Sequence, residues 1–485
     1  MAGAFPGRHA ARTARRTLLP AACMARCTLQ PAARASRRTV LRLAMGSACT
    51  LALAGCVRPG DRVLRFWAMG REGEVLGELL ADFQREHPGL TVRVEQLPWT
   101  AAHEKLLTAF AGDATPDLAQ LGNTWIAEFA ALNALEPLKG WLDADRTIDP
   151  ADYFGGIWRT NEIDGTESTT GRSRVDSPPS GGDLTRSARS GDTLYGLPWY
   201  VDTRLLFYRR DLFARAGVQT MPDTWAGFTR ALDALQRAGT PTPLLLPVQE
   251  YEPLLAFALQ AEDLLLRDGR RFGNFRGAGF RAALQFYMER FARGHAPSTS
   301  GGEIANLWQE FGRGTFAAFI SGPWNIGELD RRLPAALRES WSTATLPGPN
   351  GPGASTAGGA SLVMFRRSRR HADAMRLVSY LSRPEVQLRF YALTGDMPPR
   401  RSAWASPSLA GDTRARAFAA QLERAKPSPA VPEWERIAQE MQLVATRAVA
   451  ERWSIERATT TLDARVDAFL AKRRWMLERA ARSGA

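Results

Sequence analysis

The chain has 485 residues, enough for two packed domains, with 63 basic and 50 acidic side chains and a formal net charge of +13. Nine arginines and no acidic residue fall in the first 55 positions, so the rest keeps 54 basic against 50 acidic side chains, a net of +4. That near-neutral remainder excludes nucleic acid as the expected partner, and with no cysteine after Cys56 no internal disulfide can brace it.

The first segment reads as an address rather than structure. Ser36-Arg37-Arg38-Thr39-Val40-Leu41-Arg42 resembles a twin-arginine export motif, and the uncharged segment Leu43 to Val57 follows it. That segment is too short, and too rich in Ala, Gly and Ser, to span a bilayer as a helix of about 20 apolar residues. It closes on Leu53-Ala54-Gly55-Cys56, small residues ahead of a thiol, the pattern at which bacterial lipoproteins are acylated and cleaved. The expectation is a signal peptide over residues 1–55 and an exported lipoprotein, periplasmic or cell-surface, held to the membrane through Cys56. Met1 and Met24 both stand as starts, and inner and outer membrane both stand as destinations. Cys23 and Cys27 lack a second Cys or His pair at ligand spacing, so neither metal nor cofactor is expected.

From Val63 onward short apolar strands alternate with amphipathic helices. Val63 to Trp67 reads as a buried strand, and Val75, Leu76, Leu79, Leu80 and Phe83 recur at helical spacing until His87-Pro88-Gly89 stops them. Thr91 to Leu97 is the next strand, Ala101 to Ala111 the next helix, and Pro116 to Leu121 the third strand. This order implies a parallel sheet with helices on both faces, in which ligands bind beyond the carboxyl ends of strands. Those ends are the loops Gly70-Arg71-Glu72-Gly73 and Gly122-Asn123-Thr124-Trp125. Gly165 to Thr193, with Val175 and Leu184 nearly its only sizeable apolar side chains, reads as a disordered surface insertion. Leu194 to Arg204 then leads into a strand at Leu205 to Tyr208, and Asp223 or Thr224 caps a helix running through Leu235.

The order and spacing of several segments resemble the extracellular solute-binding proteins of ABC importers, in particular the sugar-binding, maltose-binding-protein-like class. They are the Phe66-Trp67 strand, Ala111 to Asp117, Tyr195-Gly196-Leu197-Pro198, Phe311 to Ala318 running into Ser321-Gly322-Pro323-Trp324, Gly358-Gly359, and the helix Ala372 to Leu381 followed by Pro384-Glu385-Val386-Gln387. The resemblance covers nearly all of the chain after the leader, and the insertion at 165–193 departs from it. It implies an α/β fold of two lobes, each a sheet flanked by helices, that hinge shut on a solute between them. By similarity one lobe combines residues 61–200 with 322–365 and the other combines 201–321 with 366–485. The implied activity is delivery of a bound sugar to the permease subunits by a monomer, with no covalent chemistry.

All 14 tryptophans follow Cys56, and indole faces suit the apolar C–H faces of a pyranose while its hydroxyls need paired acceptors and donors. Matched family positions nominate Trp199, Tyr200 and Trp324 as cleft aromatics and Asp202 and Glu250 as hydroxyl acceptors. Arg71, Glu72, Asn123 and Trp125 match first-lobe loops. Arg204 is placed to bridge to the ligand or to Asp202, Tyr251 to stack beside Glu250, and Gly358, Gly359 and Trp434 complete the candidate set. An enzyme, a glycosidase using Asp202 and Glu250, is the competing class, since paired carboxylates around a sugar are its signature. Binding of another solute, a polyamine or glycerol phosphate, stays within the same fold.

Overall fold

A computed structural model describes residues 62–145, 147–164, 192–297 and 306–483. The leader with Cys56 and nearly all of the insertion lie outside the described residues. From Arg58 onward the chain forms one compact unit. Among the described residues no helix is long and apolar enough to cross a membrane.

Strand β1 (Arg62–Met69) buries Leu64 and every residue from Phe66 to Met69, because it lies between β2 (Leu90–Leu97) and β3 (Leu118–Gly122) in parallel register. Helix α1 (Gly70–Glu86) buries Val75, Leu76, Leu79, Leu80 and Phe83, the positions its periodicity marks, each contributing about 1.5–3 kcal/mol of apolar burial. Its first turn starts at Gly70, directly after the strand, where a loop is expected. Helix α2 (Trp99–Ala111) returns the chain to β3. Two further strands close the first sheet: β4 (Leu197–Asp202) and, far along the chain, β9 (Gly358–Met364), in the order β2-β1-β3-β9-β4 with β9 antiparallel to both neighbours. The insertion is framed by a short antiparallel ladder, Glu162–Asp164 against Asp192–Leu194, so Asp192 and Thr193 are strand rather than insertion.

The second sheet has the order β8-β5-β7-β6, built from β5 (Leu205–Arg209), β6 (Leu244–Leu245), β7 (Ala318–Ser321) and β8 (Trp341–Ala344). Helix α3 (Trp225–Arg237) starts at Thr224, whose hydroxyl accepts from the Gly227 N–H. It shares one apolar cluster with α4 (Glu252–Ala258), α5 (Ala278–Ala292), α9 (Trp434–Ala450) and α10 (Ile455–Phe469).

The lobes divide the chain differently from the expected 322–365 and 366–485. Helix α6 (Trp324–Arg332) and β8 belong to the second lobe, where Ile326, Leu329 and Trp341 pack with Phe207 and Phe319. Helices α7 (His371–Leu381) and α8 (Pro384–Thr394) belong to the first, where Leu377, Val378 and Phe390 pack with Leu64 and Phe66. The amphipathic pattern of α7 and α8 demands burial, but it does not encode which sheet they meet. Three passages therefore join the sheets: Thr203-Arg204, residues 345–357, and the segment after Thr394 that leads to the helix Thr413–Leu422 on the second lobe.

Candidate functional site

Strands β1, β3 and β4 all end on one side of the first sheet, at Met69, Gly122 and Asp202, and the chain between Asp202 and β5 is only two residues long. The side chains carried past these ends face the second lobe across the hinge. Glu72, in the first turn of α1, is buried there, where the positive end of the helix dipole favours its charge. The Tyr200 hydroxyl donates to Glu72 Oε1 at 2.7 Å, and Gln120 Nε2 donates to the same oxygen at 3.3 Å. Gln120 is itself fixed by the Met69 N–H, which donates to its Oε1 at 2.7 Å. Burial nevertheless raises the Glu72 pKa above its ordinary value, with these hydrogen bonds pulling the other way. Asp396, buried just after α8, is pushed well above the ordinary carboxylate range, by burial first and then by the charges of Glu72 and Asp202.

Arg204 organises the opposite side. Its Nη1 donates to Asp202 Oδ2 at 2.6 Å, its Nη2 donates to Glu252 Oε1 at 3.0 Å, and its guanidinium lies 5.0 Å over the Trp324 ring. Burial disfavours its charge, but Asp202 and Glu252 outweigh that and hold it protonated. Ser355, on the second passage between lobes, donates its hydroxyl to the Arg204 carbonyl at 2.6 Å, tying two hinge segments together. Burial raises the Asp202 pKa while Arg204 lowers it, and Asp202 Oδ1 is a buried acceptor with no partner in the structure. Trp324 is laid flat by Gly322: a Cβ there would fall 2.0 Å from the indole and 2.6 Å from Asp202 Oδ1, so only glycine permits this approach. Gly359, at φ +111° and with a Cβ position 2.3 Å from the Tyr200 carbonyl, allows β9 to pass β4 at the same end of the sheet.

A second group of rings stands at the end of β3. Trp125 is edge-on to Trp99 at 5.8 Å and lies 5.0 Å from the His103 ring. His103 Nε2 is 2.7 Å from Glu128 Oε2, a bond that raises the histidine pKa against the effect of burial. Thr124 faces the Glu435 carboxylate, in the first turn of α9 on the other lobe, and burial raises the pKa of Glu435. A cavity of about 20 Å³ lies beside this meeting point, lined by Asn123 and Thr124 from one lobe and Ser428, Pro429 and Ala430 from the other side.

Among the nominated residues, Arg204 touches Asp202 and Trp324, Glu250 lies near enough to Arg204 and Asp202 to feel their charges, and Glu72 and Asp202 both act on Asp396. Glu250 is exposed, yet desolvation by neighbouring protein raises its pKa, with Arg204 drawing it back. Tyr251 is half-buried, packs against the second-lobe core and lies near enough to Glu435, Glu252 and Arg204 to feel their charges. Gly358 offers its carbonyl to Asn123 Nδ2 at 3.1 Å, and Asn123 Oδ1 accepts from Ser361 at 2.8 Å, so Asn123 staples β9 to β3. Arg71 pairs on the surface with Glu74 at 3.0 Å. Three nominated aromatics are buried away from solvent. Trp199 is 1% exposed and stacks on Phe390 at 4.6 Å, because β4 is covered on both faces and the ring falls on the side of α8. Trp434 is likewise 1% exposed, its ring absorbed into the second-lobe core where α9 meets α5 and α10. Tyr200 is also buried, and it reaches the site only through the bond it gives Glu72. Sequence reasoning missed Trp99, Gln120, Glu252, Asp396 and Glu435. Gln120 carried a signal, as the lone polar side chain in Leu118-Ala119-Gln120-Leu121.

Comparison with known proteins places this geometry. Residues 69–388 match the family described as bacterial extracellular solute-binding protein. The structure of the sugar-binding protein MalE from the phytopathogen Xanthomonas citri superposes with a TM-score of 0.78 at 50% identity, covering 86% of this chain and 99% of that one. The GacH receptor of Streptomyces glaucescens shares the fold, with a TM-score of 0.69 at 20% identity over 85% of this chain and 99% of that one. By sequence, the diacetylchitobiose binding protein DasA of Streptomyces coelicolor is 23% identical over 79% of this chain and 83% of its own. With half its length and more inside the family match, and its two sheets joined at a hinge that carries the gathered polar side chains, this chain belongs to the bacterial extracellular solute-binding proteins.

Proposed function

We propose that the protein captures a sugar, mono- or oligosaccharide, between its lobes and delivers it to the transmembrane subunits of an ABC permease, without covalent chemistry. The observation that carries this reading is the pairing of a half-buried indole, Trp324, with the carboxylates of Asp202, Glu250 and Glu252 around Arg204. An indole face receives apolar C–H groups, and carboxylates accept from ring hydroxyls. The unpartnered Asp202 Oδ1 is an acceptor that a sugar hydroxyl would satisfy. The 50% identical relative bears the name of a sugar-binding protein, which supports the same ligand class.

Capture follows from the hinge. Arg204, on the two-residue passage, holds Asp202 on one side and Glu252 on the other, so closing the lobes brings a solute against groups already oriented. The protein works as a monomer, held at the membrane by lipid on Cys56 after removal of residues 1–55. A thermal-shift screen across mono-, di- and trisaccharides, with polyamines and glycerol phosphate as further arms, tests the ligand class, since a solute bound only by the folded chain raises its melting temperature. Polyamines belong in the panel because the cleft holds more carboxylates than the loops alone suggest, Asp396 and Glu435 among them. Stoichiometric sugar binding with no released monosaccharide supports capture; turnover would make the protein a glycosidase. Trp324→Ala is expected to weaken binding in calorimetry. Cys56→Ser is expected to release the protein from membranes, and a variant that stays with them would overturn the anchor.

A further inference from the structure

Helix α11 (Ala471–Ser483) presents two different faces. Inward, Arg473 is buried and Leu477 half-buried, while Arg474 donates Nη1 to the Arg271 carbonyl at 3.0 Å and covers the Phe272 ring at 4.6 Å. Outward, Lys472, Trp475, Met476, Arg479 and Arg482 recur at intervals of three and four and so form one stripe along the helix, all of them exposed. Trp475 is 57% and Met476 53% exposed, and the Arg479 guanidinium lies 5.3 Å from the Trp475 ring centre. One acidic side chain, exposed Glu478, borders the stripe three residues after Trp475 and four before Arg482, so the cations Lys472, Arg479 and Arg482 outnumber it three to one. Through the Arg474–Arg271 bond the inward face of the helix adjoins the loop that carries Arg270, Arg271 and the Arg267–Asp268 ion pair.

Large apolar side chains at this exposure are uncommon on this protein, and here two are adjacent and framed by cations. Indole settles at a membrane–water boundary, where its ring is apolar and its N–H wet, and Lys and Arg pair with anionic headgroups beside it. We propose that this stripe docks the second lobe on an anionic phospholipid surface. The interaction uses neither the cleft nor the thiol of Cys56, so it stands apart from both. Each cation near such a surface contributes about fivefold in affinity, and three of them on the order of a hundredfold, an attraction that salt screens.

The chain from Arg58 onward is one compact unit and contains no cysteine, so it tests the stripe without leader or lipid. It is expected to co-sediment with phosphatidylcholine vesicles containing phosphatidylglycerol, not with phosphatidylcholine alone, and to release in high salt. The triple variant Lys472→Gln, Arg479→Gln, Arg482→Gln is expected to bind at least tenfold more weakly with an unchanged melting temperature. A polarity-sensitive dye on Met476→Cys should shift to the blue on the anionic vesicles, and the same dye on Glu95→Cys, exposed on the first lobe, should not. No binding to anionic vesicles at low salt, equal binding to both lipids, or binding that the triple variant retains would overturn the proposal. Binding only to membranes that hold permease subunits would replace the lipid with a protein partner and overturn it too.

Discussion

Replacing Arg204 by Met removes a charge but keeps much of the side-chain volume. The guanidinium is 10% exposed and serves two carboxylates, those of Asp202, 20% exposed, and Glu252, 28% exposed. Breaking a buried ion pair by removing one partner costs about 3–5 kcal/mol, because the other charge is left without compensation. In a chain of this size that corresponds to a fall in melting temperature on the order of 5–10 °C. The pH dependence carries the sharper test. Burial already raises the Asp202 pKa and Arg204 restrains it, so without Arg204 it climbs further. A carboxyl whose folded pKa is raised gives its full stability below its unfolded value, near 3.8, and loses it as pH rises through the folded one. The deficit of Arg204→Met against the parent should therefore be full at pH 7.5 and shrink toward pH 4. Adding Asp202→Asn should recover most of it, giving a coupling energy in the double-mutant cycle of about 1–3 kcal/mol. Scanning calorimetry across pH reads all three. A variant that melts within about 2 °C of the parent at pH 7.5, or a deficit that grows on acidification, would refute the view that Arg204 holds the hinge by charge.

The first lobe was legible because β1, α1, β2 and α2 are contiguous and each announces its own period. Leu79 and Phe83 fall one turn apart, and both are buried. The hinge was legible at Asp202, where the apolar strand Leu197 to Val201 ends in a charge. Trp199 and Trp324 show where the reading stopped. Both follow a proline, but Trp199 sits inside a strand covered on both faces, and such a strand has no polar alternation to reveal which ring reaches the cleft. Trp324 opens a helix two residues after Gly322, and only the missing Cβ at that glycine distinguishes it. Asp396 was out of reach for another reason. Its neighbours Glu72 and Asp202 lie 324 and 194 residues away in sequence, and α8 had no local mark assigning it to the first lobe.

Trp199→Ala should destabilise the fold by about 3–5 kcal/mol through the cavity it leaves against Phe390 and Phe66, while the folded fraction keeps its sugar affinity; a matching loss of affinity would return Trp199 to the cleft. Asp396→Asn mimics the protonated carboxyl that burial favours, so it should raise the melting temperature at pH 8, and the gain should vanish as pH falls through the ordinary carboxylate range; a gain that persists at pH 3 would count against a buried charge as its source. Gly322→Ala addresses Trp324 without touching its ring. The added methyl would stand 2.0 Å from the indole and 2.6 Å from Asp202 Oδ1, far inside contact distance, so the ring has to rotate away from Asp202 or the strand end has to shift. An aromatic contact is worth about 0.5–1.5 kcal/mol beyond its burial, so sugar affinity should fall about tenfold in calorimetry, near the effect of Trp324→Ala and not additive with it. Additive losses in the double variant would mean that the two substitutions act on separate walls, and Trp324 would no longer be the surface that Gly322 positions.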